Sequence, residues 1–245
     1  MSHKIWKRPE NLISSQEYAG NSLIAKITSQ KGFSAIIDEY VYIHPENVEN
    51  TFKIIPNSSE FIHGIGIDLG GGVGCISSTL AKRKNVEKIY CIELVEEAVT
   101  MCQPIVKHEI LKESHHKVIS VVGDFDNLDL ENNSIDFAVS WDSMHHSINL
   151  IKTLKECKRV LKKNGIFIIV DRAHNNSTPN SEIERMLNIV YDENFITKFY
   201  RPKGTILTRK ENGEHEHRFF EWNKFFDASG FKLIDSVVIK TESDE

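Results

Sequence analysis

Gly64-Ile65-Gly66-Ile67-Asp68-Leu69-Gly70-Gly71-Gly72-Val73-Gly74 enters as an apolar, β-branched run and breaks into a cluster of glycines. It leaves as Cys75-Ile76-Ser77-Ser78-Thr79-Leu80-Ala81, which reads as the start of a helix. Strand, glycine turn and helix in that order let backbone approach a ligand closely and aim helix N–H groups at it. Inside a βαβ unit this marks a site for a nucleotide-like cofactor.

Outward from that stretch the pattern alternates as in an α/β domain. Strands are predicted at 64–69, 88–93, 117–122, 135–140 and 166–170, with helices at 74–83, 95–112 (kinked by Pro104) and from 148 onward. Leu150, Leu154, Cys157 and Leu161 form one apolar stripe on the last of these, and Asn164-Gly165 is its expected C-cap. Near-continuous apolar strands with helical crossovers imply a mostly parallel sheet covered on both faces.

The expected organisation is a helical N-terminal cap over 1–60 and a catalytic-type domain over 61–245, with 172–222 inserted as a lid or substrate segment. In the cap, 11–30 shows helical spacing interrupted by Gly20, and 33–42 is apolar. In the insertion, a helix is expected from 181 to 191, and 205–220 as a hairpin closed by Asn212-Gly213. That register puts His215, His217 and Phe219 on one face and Glu214, Glu216 and Arg218 on the other. A short helix over 221–229, a last strand over 231–239 and a polar tail complete the chain.

The 245 residues are 40% hydrophobic and 27% charged, enough for one sizeable core. A net charge of -5 argues against nucleic acid or an anionic membrane as partner. Four scattered cysteines without a Cys-x-x-Cys pair suit buried thiols in a reducing compartment, and no targeting or membrane-length apolar run is visible. The expected location is the cytoplasm; a homodimer is left open.

A dinucleotide fingerprint would need a third glycine where Cys75 stands. The sequence Asp68-x-Gly70-x-Gly72-x-Gly74 instead resembles the first motif of class I, Rossmann-like S-adenosylmethionine (SAM)-dependent methyltransferases of the small-molecule type. Glu93-Leu94, Asp124-Phe125 and Trp141-Asp142 follow at the next three strand ends, and Arg159-Val-Leu-Lys-Lys-Asn-Gly165 precedes the fifth strand. The resemblance spans about 64–171. It implies a sheet of the seven-stranded type and SAM as cofactor, held by Asp68, Gly70, Gly72, Gly74, Glu93, Leu94, Asp124, Phe125, Trp141 and Asp142.

The acceptor side is read from the histidines. His145 and His146 follow the fourth strand, His174 follows the fifth, and His217 sits on the insertion. One reading is a metal-free base, His146 or His145, oriented by Asp171 or a glutamate and with His174 and His217 nearby. The other is a divalent metal, Mg²⁺ or Mn²⁺, held by a subset of Asp142, His146, Asp171, His174 and His217, as in catechol O-methyltransferase-like enzymes. Asn175, Asn176, Tyr191, Tyr200 and Arg201 give the pocket polar lining. The expected reaction is O-methylation of a polar small molecule such as a sugar or sugar nucleotide. N-methylation of a small amine, and a non-catalytic SAM-binding subunit, are the alternatives. The acidic balance and the lack of an Asn-Pro-Pro-Tyr-like motif count against methylation of a nucleic-acid base.

Overall fold

The computed structural model describes residues 3–39 and 43–239. The end of the apolar 33–42 run and the polar tail lie outside the described residues. Six strands pair there into one all-parallel sheet: β1 (Lys4–Ile5), β2 (Gly64–Leu69), β3 (Val86–Glu93), β4 (Val118–Val122), β5 (Ile135–Trp141) and β6 (Leu161–Val170). Their order is β1-β4-β3-β2-β5-β6. The chain winds one way from β2 through β3 to β4, then crosses back to place β5 on the other side of β2. The helices that follow β2 and β5, Cys75–Ala81 and Leu150–Val160, therefore pack on opposite faces of the sheet, which puts the topological switch point at the carboxyl ends of those strands.

Each strand alternates between two cores, as a sheet covered on both faces requires. Ile89, Cys91, Phe137 and Val139 join one core with Phe52, Leu80 and Val106. Ile67, Leu69, Tyr90, Ile92 and Ala138 join the other with Leu150, Leu154, Cys157 and Trp222. The predicted stripe of the helix Leu150–Val160 is thus buried as expected. Asp68 falls between Ile67 and Leu69 and takes the opposite face.

Several boundaries move for local reasons. Pro104 lies in the first turn of the helix Gln103–Leu111, and the kink is taken up ahead of it as a π-helical turn, Ala98–Cys102. The helix that was expected to run to Asn164-Gly165 ends at Val160, and Leu161 already pairs with Ile135. Asn164 adopts a left-handed conformation (φ 69°) inside the register shift before β6 resumes at Ile166. Gly20 does not interrupt the helix Gln16–Lys31. Its bare face admits the Arg201 guanidinium, which a Cβ would strike.

The sheet differs from the expected seven-stranded type. Its first strand, Lys4–Ile5, was not foreseen, and neither 205–220 nor 231–239 forms a ladder among the described residues. Both arms of the expected hairpin have found other partners. Tyr191 N donates to Leu207 O at 2.9 Å and Arg209 N to Ile189 O at 3.0 Å, so the incoming arm lies beside 187–191. The outgoing arm donates His215 N to His145 O at 3.1 Å, and its His217 O accepts from His174 N at 2.9 Å. Between them Asn212-Gly213 closes a wider turn in which Glu214 N reaches Arg209 O at 3.1 Å. Beyond it, Leu233, Ile234, Val237 and Val238 are exposed, although Phe231 packs on Phe167.

Gly66 is the tightest point of the central strand, because a Cβ there would enter the fully buried Phe137 ring. Gly66→Ala is expected to destabilise the domain by about 1–3 kcal/mol through overpacking. The midpoint of urea unfolding measures this, and an unchanged midpoint would contradict the packing described.

Candidate active site

The glycine turn is built from three left-handed residues, Gly70 (φ 73°), Gly72 (φ 49°) and Gly74 (φ 85°). Gly70 N and Gly71 N both donate to Ile92 O, at 3.0 and 2.8 Å, which pins the turn to the neighbouring strand. Gly72 N donates to Glu93 Oε2 at 3.0 Å, and Val95 N to Oε1 at 2.8 Å. Burial raises the Glu93 carboxyl above its ordinary range, while these amides oppose the shift. A Cβ on Gly72 would meet nothing within 4 Å. The space beside Gly72 is open, as a cofactor cradle needs, while Gly70, Gly71 and Gly74 pack against Ser143, Cys91 and Gln103.

Around that space, Asp68 is fully buried and accepts from Ser77 Oγ at 2.7 Å, while its Oδ1 is an orphan acceptor. Burial raises its carboxyl to about 6. Asp124 is buried at the end of β4 and accepts from Asp126 N at 3.0 Å. Phe125 approaches Gly70, and Trp141 packs on Phe52 with ring centroids 6.0 Å apart. Leu94 O accepts from Arg8 Nη1 at 3.0 Å, so the chain before the N-terminal helix reaches the same rim. The residues present fit SAM: an open turn, then a carboxylate at each of the next two strand ends.

On the acceptor side the structure gathers a charged cluster. His145, buried, donates Nδ1–H to Asp171 Oδ1 at 2.7 Å, and the Met144 amide also reaches Asp171, at 2.9 Å. Two groups compete for His145 Nε2. Arg172 Nη2 lies 2.9 Å away and needs a lone pair there, whereas Glu214 Oε2 lies 3.4 Å away and needs a proton there. Burial opposes the charged ring, but the Asp171 and Glu214 carboxylates outweigh it and raise His145 to about 9. Glu214 is correspondingly held down at about 2 against its burial by His145 and Arg172. His146 sits against His145 with ring centroids 4.2 Å apart. Burial, then the charge of His145, lower it to about 4, and its Nδ1 faces Gly213 O at 3.2 Å and Glu17 Oε1 at 3.1 Å.

The predicted metal set is not brought together as one sphere. Among the described residues, the nitrogen and oxygen atoms that lie close enough belong to Asp142, His145 and Asp171, or to His145, His146 and Glu214. Arg172 already bridges Asp142 (3.2 Å), Glu214 (2.8 Å) and His145, so a guanidinium stands among these donors. These residues do not fit a divalent ion while Arg172 holds that position. His174 pairs with Glu216 at 2.6 Å, and Arg209 contacts the same carboxylate. The His217 ring packs edge-on against Trp222 and Phe225, at 5.8 and 5.0 Å. It packs on the helix Phe219–Ala228. Asn176 is likewise spent on that helix, accepting from Phe220 N at 2.8 Å. Tyr200 accepts from Lys31 at 3.2 Å, while Tyr191 donates to Glu214 at 3.4 Å.

A glutamate beside these histidines is expected from the sequence, but its identity as Glu17 or Glu214, and the bridging role of Arg172, are not. The Glu-His-Glu-His alternation over 214–217 did carry a signal. The two faces are as expected, with the His215 and His217 rings parallel within 6°, but the buried face directed at the cluster is the glutamate one. Glu17 gave no signal: it stands behind the N-cap Ser15, where a glutamate is ordinary.

The sheet order, the glycine turn and the strand-end carboxylates define a class I, Rossmann-like fold of the SAM-dependent methyltransferase type. Residues 67–169 match the family model described as a methyltransferase domain, and this stretch is such a domain. Two curated relatives are similar over its neighbourhood. A sarcosine/dimethylglycine N-methyltransferase from Aphanothece halophytica is 29% identical over 138 residues, 55% of this chain and 48% of that protein. A glycine/sarcosine/dimethylglycine N-methyltransferase from Actinopolyspora halophila is 28% identical over 142 residues, 58% of this chain and 24% of that protein. The chain thus spans about half of one relative and a quarter of the other. Among solved structures, the YcgJ protein of Bacillus subtilis is similar in fold, with TM-score 0.54 and 17% identity, covering 76% of this chain and 68% of that one. Among the described residues, no helix is long and apolar enough to cross a membrane.

Two measurements test this geometry. Gly72→Val should abolish SAM binding by calorimetry while far-UV circular dichroism stays native, because the side chain would fill the open space. The left-handed φ adds a cost of about 1–2 kcal/mol, so a drop of a few degrees in melting temperature is expected. For His145→Gln, the loss of stability should be largest below pH 6.5 and shrink as pH rises through about 9, because a raised native pKa stabilises only while the ring is protonated. Thermal melts across pH 5–10 check the sign; a gap that widens with pH would refute the charged assignment.

Proposed function

We propose that this protein is a SAM-dependent methyltransferase that methylates the nitrogen of a small amine. The observation that carries the reading is the charge of the mouth, where Glu17, Glu93, Asp142, Asp171, Glu214 and Glu216 outnumber Arg172, Arg201, Arg209 and His145. Such a mouth favours a cationic acceptor and opposes an anionic one. The activities named for the two curated relatives are both amine N-methylations and agree with nitrogen as the methylated atom.

Oxygen as the acceptor, expected from the sequence for a sugar or sugar nucleotide, is the weaker reading. An alcohol must lose a tightly held proton, and His146, held near 4, is a poor base for that task. The metal that could otherwise lower the hydroxyl's pKa has no vacant set of donors while Arg172 bridges them. An ammonium needs only to shed one proton to expose its lone pair.

SAM, when bound, supplies a methyl already activated by its sulfonium. The protein's part is then positioning. Gly70 to Gly74 and Glu93 hold one side of the crevice, and Asp124 and Phe125 wall it. The ion-paired His145, Asp171, Arg172 and Glu214 fix the loops after β5 and β6 so that the acceptor meets a rigid surface. We read the helices within 1–60 and the 172–222 segment as the two halves of the acceptor pocket on the 61–245 domain.

The test is a panel of acceptors incubated with the protein and SAM, with S-adenosylhomocysteine release measured. Small primary, secondary and tertiary amines, including glycine, sarcosine and dimethylglycine, should be turned over. Sugars and sugar nucleotides should give background rates, and prior treatment with a chelator should leave the amine rate unchanged. Turnover of a hydroxylated acceptor with every amine inactive would overturn the reading.

A further inference from the structure

Glu17 enters the site from outside the matched methyltransferase stretch. It lies in the first turn of the helix Gln16–Lys31, where Ser15 Oγ accepts from Tyr18 N at 3.0 Å. That end of the helix is fastened from two directions. Arg8 donates to Leu94 O at 3.0 Å and pairs with Glu96 at 2.9 Å, while its Nη1 also reaches Tyr18 Oη at 3.4 Å. From the 172–222 segment, Arg201 donates to Gln16 O at 3.1 Å and to Asn212 Oδ1 at 2.6 Å.

Between these fastenings the Glu17 carboxylate is aimed at the residues after β5. Its Oε1 lies 3.1 Å from His146 Nδ1. Its Oε2 lies over Gly213, in the volume that a Cβ on that glycine would fill. Gly213 is therefore the residue that makes room for the carboxylate, besides supplying its left-handed turn (φ 84°). The groups facing Glu17 are Glu93 from the end of β3, His145 and His146 after β5, and Glu214 and Arg201 from the 172–222 segment.

We propose that Glu17 is the residue that receives the acceptor: its carboxylate pairs with the substrate ammonium and takes one N–H proton from it. This rests on the amine reading above. The proton passes from nitrogen to a Glu17 oxygen, leaving a neutral amine and a carboxylic acid. The freed lone pair forms the N–C bond to the methyl carbon as the C–S bond breaks, and that pair of electrons stays on sulfur. The methylated ammonium departs, and Glu17 returns its proton to water.

Two features suit Glu17 to the task better than its neighbours. Burial first, then the charges of Glu93 and Glu214, raise its carboxyl to about 7, in the range where a base is both free and effective near neutrality. Asp171 and Glu214 are held low by His145 and, for Glu214, Arg172, so they are stable anions but weak proton acceptors. His146, with Nδ1–H committed to Glu17 and Gly213 O, orients the carboxylate and does not compete for the proton.

Glu17→Gln keeps the shape and removes the charge and the basicity. With the amine that the wild type methylates best, kcat is expected to fall about 10²-fold or more. KM should rise as well, while SAM affinity by calorimetry stays within about twofold of wild type, as the cofactor cradle of Gly70 to Gly74 is untouched. Glu17→Asp should recover part of the rate. A second arm titrates tetramethylammonium, a cation that cannot be methylated, into both proteins in the presence of S-adenosylhomocysteine. Binding should be weakened about tenfold or more in Glu17→Gln. Wild-type kcat in Glu17→Gln would overturn the proposal while amine methylation stands. If the wild type turns over no amine, the amine reading falls and the proton transfer with it, and the titration decides only whether Glu17 receives a cation. Equal cation binding in both proteins overturns its role, and binding lost in Glu17→Gln supports it.

Discussion

The passage from β2 into the helix Cys75–Ala81 depends on Gly70, Gly72 and Gly74 all holding positive φ within five residues. Residues with a Cβ reach that conformation only at a cost of about 1–2 kcal/mol each. The tight turn that results brings Gly72 N within 3.0 Å of Glu93, tying the end of β2 to the end of β3. It also lets Ser143, from the loop after β5, fit against Gly70 and donate to Leu69 O at 2.7 Å. Three strand ends are thereby fixed around one opening. Every other element of the site is hung from that opening.

On the far side the fixing agent is charge. Asp171 and Glu214 are buried, and an uncompensated carboxylate there would be costly. His145 and Arg172 answer that charge, and Arg172 reaches Asp142 as well. Because the partners come from the loop after β5, the end of β6 and the 172–222 segment, the network joins pieces distant in sequence. Removing one member leaves the others buried and unpaired, so the cluster behaves as a unit. The competition of Arg172 and Glu214 for one nitrogen of His145 means that the proton on that ring decides which of them is bound.

The core of the sheet was legible in sequence because its strands are short apolar runs ended by glycine or an acidic residue. Residues 64–69 form a strand at the boundaries expected, and Glu93, Asp124 and Asp142 fall at or just beyond strand ends as read. What failed was pairing at long range. The alternation over 205–220 is real, but a strand pattern states only which residues share a face, not which chain lies alongside. Here His145 O and His174 offered partners that the local sequence cannot reveal. The same blindness reversed the insertion: its histidines looked like the chemistry, whereas Glu214 and Glu216 are the buried face. Glu17, about 130 residues before His146, meets it only because helix and sheet pack together.

Arg172 carries the argument about acceptor chemistry furthest. In a pocket of carboxylates and imidazoles, a divalent ion and a guanidinium are alternative ways of holding the charge. A divalent ion would also polarise an acceptor oxygen. A guanidinium cannot lower a hydroxyl's pKa comparably, and it spends its planar fork on fixed carboxylates. With Arg172 in place, the mouth can hold loops and attract a cation, but it is poorly equipped to strip an alcohol. On the proposed reading, an amine asks less of it, and the surplus carboxylate charge would serve to draw in the ammonium form that dominates near neutrality.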